Sequence, residues 1–268
     1  MAIAAETTMT TAADPLLRRE RDARGVLTLT LNRPQAFNAL SEAMLAALQR
    51  ELDAIASDDS VRVVVLAAEG KAFCAGHDLK EMRAQPSLEY YQALFAQCTR
   101  MMLTLRRLPV PVIARVQGIA TAAGCQLVAQ CDLAVASSTA RFAVSGVNLG
   151  LFCSTPSVPL SRNVACKQAF EMLVTGDFID AAQAQARGLV NRVVEPAHLD
   201  AEIETLAASI VAKPRAVVAM GKELFYRQGE LGMEAAYDAA GETMACNMMD
   251  AAALEGVQAF IEKRKPRW

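Results

Sequence analysis

Histidine is scarce in this chain: His77 and His198 are the two in 268 residues. The seven cysteines are scattered and form no C-x-x-C pair. A zinc site, or any other metal centre, is therefore not expected. An odd cysteine count also argues against a secreted disulfide framework, so the thiols are read as reduced and the compartment as cytoplasmic. Charge of one sign is equally lacking. The formal net charge is −2, which gives no strong field to recruit nucleic acid or an anionic membrane. No apolar run approaches the roughly 18–20 residues of a membrane span. The first twenty residues lack an early basic region and a continuous apolar stretch, so a secretory signal is not expected. They carry acids and no arginine before Arg18, which disfavours an organelle transit peptide. Small and Thr-rich, residues 1–19 are expected to form a flexible tail. No G-x-S-x-G elbow is present, and no Ser/His/Asp set is persuasive.

Hydrophobic residues, by contrast, make up 53% of the chain, ample for a packed core. Val26–Leu31 alternates β-branched and apolar residues and reads as a strand. Ser41 precedes a helix to about Ser57 with apolar residues at 44, 45, 48, 52 and 55. Val61–Ala67 and Pro111–Val116 are near-continuous apolar runs, the pattern of strands buried on both faces. A helix is expected from Ser87 to about Arg107 and a short one over 123–130. Strands follow over 132–137 and 140–144. This alternation implies crossover units with parallel strands. Near Pro196 the character changes, and four helices are expected over about 197–212, 214–227, 233–247 and 250–263. They form either a helical oligomerisation region or further layers of the same domain.

Two segments carry candidate chemistry. Gly70–Met82 leaves a buried strand at its carboxyl end, where α/β folds place ligands. Gly76 permits a conformation that exposes the following N–H, and Asp78 is placed to cap a helix starting near Leu79. Pro111–Asp132 ends a strand, turns at Gly118 and starts a helix among small residues. A helix N-terminus presents free N–H groups and the positive end of the dipole, which suits a developing oxyanion.

Together these blocks make a specific pattern. N-R-P-x-x-x-N-A-L spans Asn32–Leu40, and G-x-A-F-C-A-G-x-D-L spans Gly70–Leu79. P-V-I-A-x-V-x-G…G-C-x-L…C-D follows over Pro111–Asp132. A T-G-D-x-I run lies over Thr175–Val190, and F-x-x-K-R-K-P over Phe260–Pro266. In this order they resemble the enoyl-CoA hydratase/isomerase (crotonase) superfamily over about residues 20–268. The 118–137 and 146–156 stretches look closest to its branch named enoyl-CoA hydratase domain-containing protein 3. The resemblance implies an α/β, crotonase-like spiral of β-β-α units over 20–196. It also implies a C-terminal helical trimerisation region over 197–268, giving a homotrimer or a dimer of trimers. The ligand would be an acyl-CoA or enoyl-CoA thioester, with coenzyme A as part of the substrate and no prosthetic group. The thioester carbonyl would be held by the backbone N–H groups of His77 and Ala123, and the shared chemistry would be stabilisation of an enolate. Gln35, Ala36, Ala75, His77, Asp78, Leu79 and Lys80 match positions that flank CoA. Phe260 and Lys263 match positions that approach it, often from a neighbouring subunit.

The pattern breaks at the acids. Hydratases of this family place glutamates at positions that here are Gln126 and Gly146. Adding water to a double bond needs one group to activate the water and another to protonate carbon. An amide has no accessible pKa, and glycine has no side chain. Two-glutamate hydration is therefore not expected. An acyl-CoA lyase or isomerase working through the backbone donors stays open, and so does a non-catalytic acyl-CoA binder. RNA binding lacks the basic helix it would need. The His77 ring either lines the acyl pocket as acid or base or faces solvent with only its backbone used. Cys125 and Cys153 read as core, and Ser145, Asn148, Ser154 and Thr155 as turn residues or water-orienting groups. His198 reads as structural or exposed.

Overall fold

The computed structural model describes residues 15–268, and the expected tail over residues 1–14 lies outside them. Two sheets organise the body. The larger holds β1 (Leu17–Arg21), β2 (Val26–Leu31), β3 (Val63–Ala68), β5 (Val112–Val116), β7 (Leu133–Ser137) and β10 (Arg192–Val194), in that spatial order. All neighbours are parallel except β1 and β2. The smaller holds β4 (Ala72–Cys74), β6 (Ile119–Thr121), β8 (Arg141–Ala143) and β9 (Ile179–Asp180). The chain alternates between the sheets. β3 leads to β4 and the helices α2 (Leu79–Ala84) and α3 (Leu88–Arg107), and β5 leads to β6 and α4 (Ala123–Gln130). β7 in turn leads to β8, α5 (Ser154–Asn163) and α6 (Cys166–Thr175). These are three turns of the β-β-α spiral that the family resemblance implies.

Strand alternation explains the layers. Along β3, Val64, Leu66 and Ala68 face one core with α1 (Glu42–Ala56), α3 and α4. Val63 and Val65 face a second cluster on the opposite side with Val26, Ile113 and Val135. Side chains in a strand alternate between faces, so a fully apolar run signals cover on both. The second cover is α8 (Leu199–Val211), which presents Leu199, Ile203 and Ala207 at four-residue spacing.

Within the C-terminal region expected over 197–268, α8 packs as a layer of the body. The first strand begins inside the span expected as a tail. Leu17–Arg21 (LRRER) pairs antiparallel with β2. It is a charged edge strand held by backbone hydrogen bonds, so it carries no apolar periodicity to read. The last three helices are α9 (Arg215–Gln228), α10 (Met233–Met248) and α11 (Ala251–Ile261). Together they bury one residue, Ala259, in the single chain.

One polar cluster fastens α9 to the body. The Lys222 ammonium donates to Asp132 Oδ2 (2.7 Å) and to the Leu105 and Val110 carbonyls. Tyr226 OH donates to Asp132 Oδ1 (2.7 Å), and the Val112 N–H to Oδ2 (2.7 Å). Burial pulls the Lys222 pKa down, and the Asp132 carboxylate offsets only part of that pull.

Candidate functional site

The site forms where the segment after β4 meets the N-terminus of α4. Leu40 N–H donates to the Gly76 carbonyl (2.8 Å), and Asp78 N–H donates to the Leu40 carbonyl (3.3 Å). In such a parallel bridge the intervening residue turns its own N–H the other way. The His77 N–H therefore faces away from Leu40, with no acceptor among the described residues. Gly76 sits at φ +93°, and a methyl there would lie 2.9 Å from the Ala122 Cβ and 3.2 Å from the Ala123 nitrogen. Glycine is thus required both by its conformation and by the close approach of the second loop.

That second loop reaches α4 through Ala122, whose φ of +49° is costly for a residue with a Cβ. Its N–H is held by the Ala143 carbonyl (3.0 Å), while the Ala123 N–H, first in the helix, has no acceptor among the described residues. Close packing continues at Gly124, where a Cβ would stand 2.0 Å from the Cys74 carbonyl oxygen. Two residues from separate segments whose N–H groups have no acceptor among the described residues therefore lie on one cavity.

Both donor residues line a cavity of about 430 Å³. Its walls are largely apolar and include Leu79, Met82, Phe95, Leu149, Leu151 and Phe152. A larger groove of 650 Å³ runs between α3 and α9, but no candidate site residue lines it. The His77 imidazole does not face solvent. Both ring nitrogens are buried without a hydrogen-bond partner among the described residues, and the ring meets the edge of Phe95 at 5.5 Å and 72°. Burial pulls its pKa below the ordinary histidine range. The nearby Leu40 carbonyl favours the cation electrostatically, without the geometry of a hydrogen bond.

The two positions without acids differ from each other. Gln126 is buried on α4 and is not among the cavity-lining residues, and its Oε1 has no partner among the described residues. Gly146 does line the cavity, but its side-chain space is taken. A Cβ there would meet the Leu151 carbonyl oxygen at 2.5 Å and the Cys153 Sγ at 2.7 Å. The Gly146 N–H donates to that sulfur (3.3 Å), and burial pushes the thiol's pKa up. Cys125 lies fully buried outside the lining and is pushed up to about 12. Neither thiol has a thiolate's character. Ser145 pairs its hydroxyl with Thr121 (2.8 Å) at the cavity edge. Ser154 and Thr155 share the lining, while Asn148 instead donates to the Gly176 carbonyl. His198 is exposed.

Of the positions matched to CoA, Ala75, His77 and Leu79 line the cavity. Gln35 and Ala36 sit in a 3-10 turn whose neighbour Phe37 accepts the Ala75 N–H (3.0 Å). Asp78 is committed elsewhere: it accepts from the Lys80 and Glu81 N–H groups and pairs with Arg33 (2.8 Å). Burial works to raise its carboxyl, but those hydrogen bonds outweigh it and hold the group below the usual carboxylate range. Lys80 is exposed. Phe260 and Lys263 lie at the end of α11, outside the lining, and Phe260 is 84% exposed.

Some contributors are not legible from sequence. Phe95 arrives from mid-α3, and nothing in its helical spacing marks it. Asn38 is buried at φ +54° and donates to the Glu69 and Ala72 carbonyls while accepting the Arg33 N–H. It ties the 33–38 turn to the Gly70 segment. Its place inside the N-R-P-x-x-x-N-A-L block is the signal that points to it.

The family model described as enoyl-CoA hydratase/isomerase matches residues 21–268. The chain belongs to that family. The enoyl-CoA hydratase domain-containing protein 3, mitochondrial, of Xenopus laevis is 47% identical over 244 residues, covering 91% of this chain and 83% of that protein. The crystal structure of the human protein of that name superposes with a TM-score of 0.91 at 43% identity, covering 95% of this chain and 100% of the other. An enoyl-CoA hydratase structure from Mycobacterium smegmatis gives a TM-score of 0.94 at 71% identity, covering 95% and 99%. These likenesses establish the crotonase-type fold and the resemblance to the domain-containing protein 3 branch. The cytoplasmic expectation is corrected, because the curated vertebrate relatives are named mitochondrial. Free thiols fit any reducing compartment, so cysteine usage does not separate cytosol from an organelle interior.

Proposed function

We propose that this enoyl-CoA hydratase/isomerase family member is an enzyme acting on acyl-CoA thioesters, with the thioester enolate held between the backbone N–H groups of His77 and Ala123. The observation that supports this reading is that His77 and Ala123, whose N–H groups have no acceptor among the described residues, line the same largely apolar cavity. Donors aimed at a developing oxyanion in a water-poor site contribute roughly 3–4 kcal/mol each to lowering a barrier. The apolar walls suit the acyl chain. Ala75 and Leu79 with the Gln35–Ala36 turn and Lys80 form the approach for the CoA moiety. Ordinary hydration by two carboxylates is not the reaction, since Gln126 and Gly146 carry no acid and the space beside Gly146 is filled by Cys153 and Leu151.

The exposed apolar side chains of α9–α11, among them Phe225, Met233, Tyr237, Met244, Phe260 and Ile261, support self-association as a homotrimer or a pair of trimers. In that assembly Phe260 and Lys263 serve a neighbouring subunit's CoA, with the ammonium meeting phosphate. A second reading, a non-catalytic acyl-CoA binder or regulator, is favoured by the same loss of both acids.

Proton NMR of the protein with a panel of enoyl- and acyl-CoA thioesters in heavy water separates the two. Protein-dependent hydration, double-bond migration, thioester cleavage or α-carbon exchange identifies an enzyme and its reaction class. Line broadening of the ligands without any turnover establishes the binder, and absence of both refutes the acyl-CoA site itself.

A further inference from the structure

We propose that the His77 imidazole is the proton-transfer group of this cavity, taking a proton from the carbon next to the thioester carbonyl and returning it. The inference rests on the acyl-CoA reading above and deepens it. Its first support is elimination within the lining. Among the described residues there, the side chains that titrate are His77 and Cys153. The Cys153 thiol accepts the Gly146 N–H and is pushed towards its neutral form, so it is a poor base at neutral pH. Gln126 and Gly146 offer no acid at all. Acid–base chemistry inside this cavity therefore falls to one imidazole.

The second support is the state of that ring. Both nitrogens are buried, and neither has a hydrogen-bond partner among the described residues. A histidine serving only to pack against Phe95 would bury two polar atoms with only the nearby Leu40 carbonyl to compensate, and structures generally satisfy buried polar groups more fully. Edge contact with Phe95 restrains the ring plane. Neutral imidazole, the form favoured by this burial, leaves one nitrogen as an acceptor for a proton.

The third support is adjacency. His77 lines the cavity, and the step requires its ring, whose nitrogens have almost no accessible surface, to turn one of them towards the carbon next to the thioester carbonyl. In the forward step the α-carbon C–H bond breaks and its proton joins an imidazole nitrogen. The electron pair forms the enolate double bond as the carbonyl electrons move to oxygen, which the His77 and Ala123 N–H groups hold. The imidazolium so formed is offset by the enolate beside it. The reverse step returns the proton to carbon. In heavy water the cycle replaces hydrogen by deuterium and needs no oxidant, reductant or other reactant.

The test uses the full chain with butyryl-CoA in heavy water, following loss of the α-proton signal, with ligand line broadening as an independent measure of binding. His77→Gln keeps the backbone N–H and a polar side chain but removes the titrating group. Positioned acid–base groups typically contribute about 10²–10⁴-fold, so H77Q is expected to bind while exchanging at least about 100-fold more slowly. In H77A, added imidazole is expected to restore part of the lost exchange. Wild-type exchange that persists in H77Q within about threefold would overturn this inference and leave the enolate reading intact. So would an H77A variant that binds butyryl-CoA and gains nothing from imidazole. Wild-type binding with no exchange overturns the enolate reading and this inference with it.

Discussion

Replacing Gly146 with alanine places a methyl 2.5 Å from the Leu151 carbonyl oxygen and 2.7 Å from the Cys153 Sγ. The first neighbour is backbone and cannot turn aside, so the 151–153 segment must move as a unit. Forcing a methyl into a packed interior typically costs about 1–3 kcal/mol. With both contacts this short, a loss of about 2 kcal/mol is the working value. For a chain of this size each kcal/mol moves the midpoint by roughly 2–4 °C, so a fall of about 4–8 °C follows. Urea unfolding and thermal melts of Gly146→Ala measure it. The double variant with Cys153→Ala removes the sulfur, one of the two obstacles, and should recover part of the loss. The pair is then non-additive, as expected for neighbours sharing space. The same geometry predicts that Gly146→Glu combined with Gln126→Glu fails to create a hydratase, because the first carboxylate has no room and the second is buried outside the cavity lining. A Gly146→Ala protein within about 0.5 kcal/mol of wild type, the ordinary scatter of surface substitutions, would refute this account of why the position is glycine. Crotonyl-CoA hydration by the double glutamate variant would refute it as well.

Two further outcomes test other parts of the structure. Lys222→Met leaves Asp132 buried without its cation and strands the Leu105 and Val110 carbonyls, so a loss of about 3–5 kcal/mol is expected. Urea unfolding checks it, and a change under about 1 kcal/mol would remove the cluster from the list of what holds α9 to the body. The folded-state pKa of His77 lies below the ordinary value of about 6.5, so in the window between the two the unfolded chain binds a proton that the folded chain does not. Stability is therefore lost as pH falls through that window. His77→Gln abolishes this component, so melts of both proteins at pH 7.5 and 5.5 (about one unit either side of the ordinary value) should show the wild type losing more. Equal losses would show that the imidazole protonates as freely in the fold as outside it.

Much of this was legible locally. β2 and α4 fall on Val26–Leu31 and Ala123–Gln130 as periodicity and glycine placement predict, and Ser41 and Ser87 cap α1 and α3 through the Met44 and Tyr90 N–H groups. Caps, strand alternation and helical spacing act within a few residues, so the sequence by itself determined them. It also determined the Gly76 and Ala122–Gly124 segments that meet at the cavity and the absence of acids at 126 and 146. The four C-terminal helices were readable for the same reason, but their partners were not. α8 joins the sheet because Leu199, Ile203 and Ala207 meet Val63, Val65 and Val135, a match visible only once distant strands lie side by side. The ring of His77 turns inward to Phe95, Cys153 Sγ fills the space beside Gly146, and Lys222 finds Asp132 across 90 residues. These meetings depend on packing between elements far apart in the chain, and only the tertiary structure decided them.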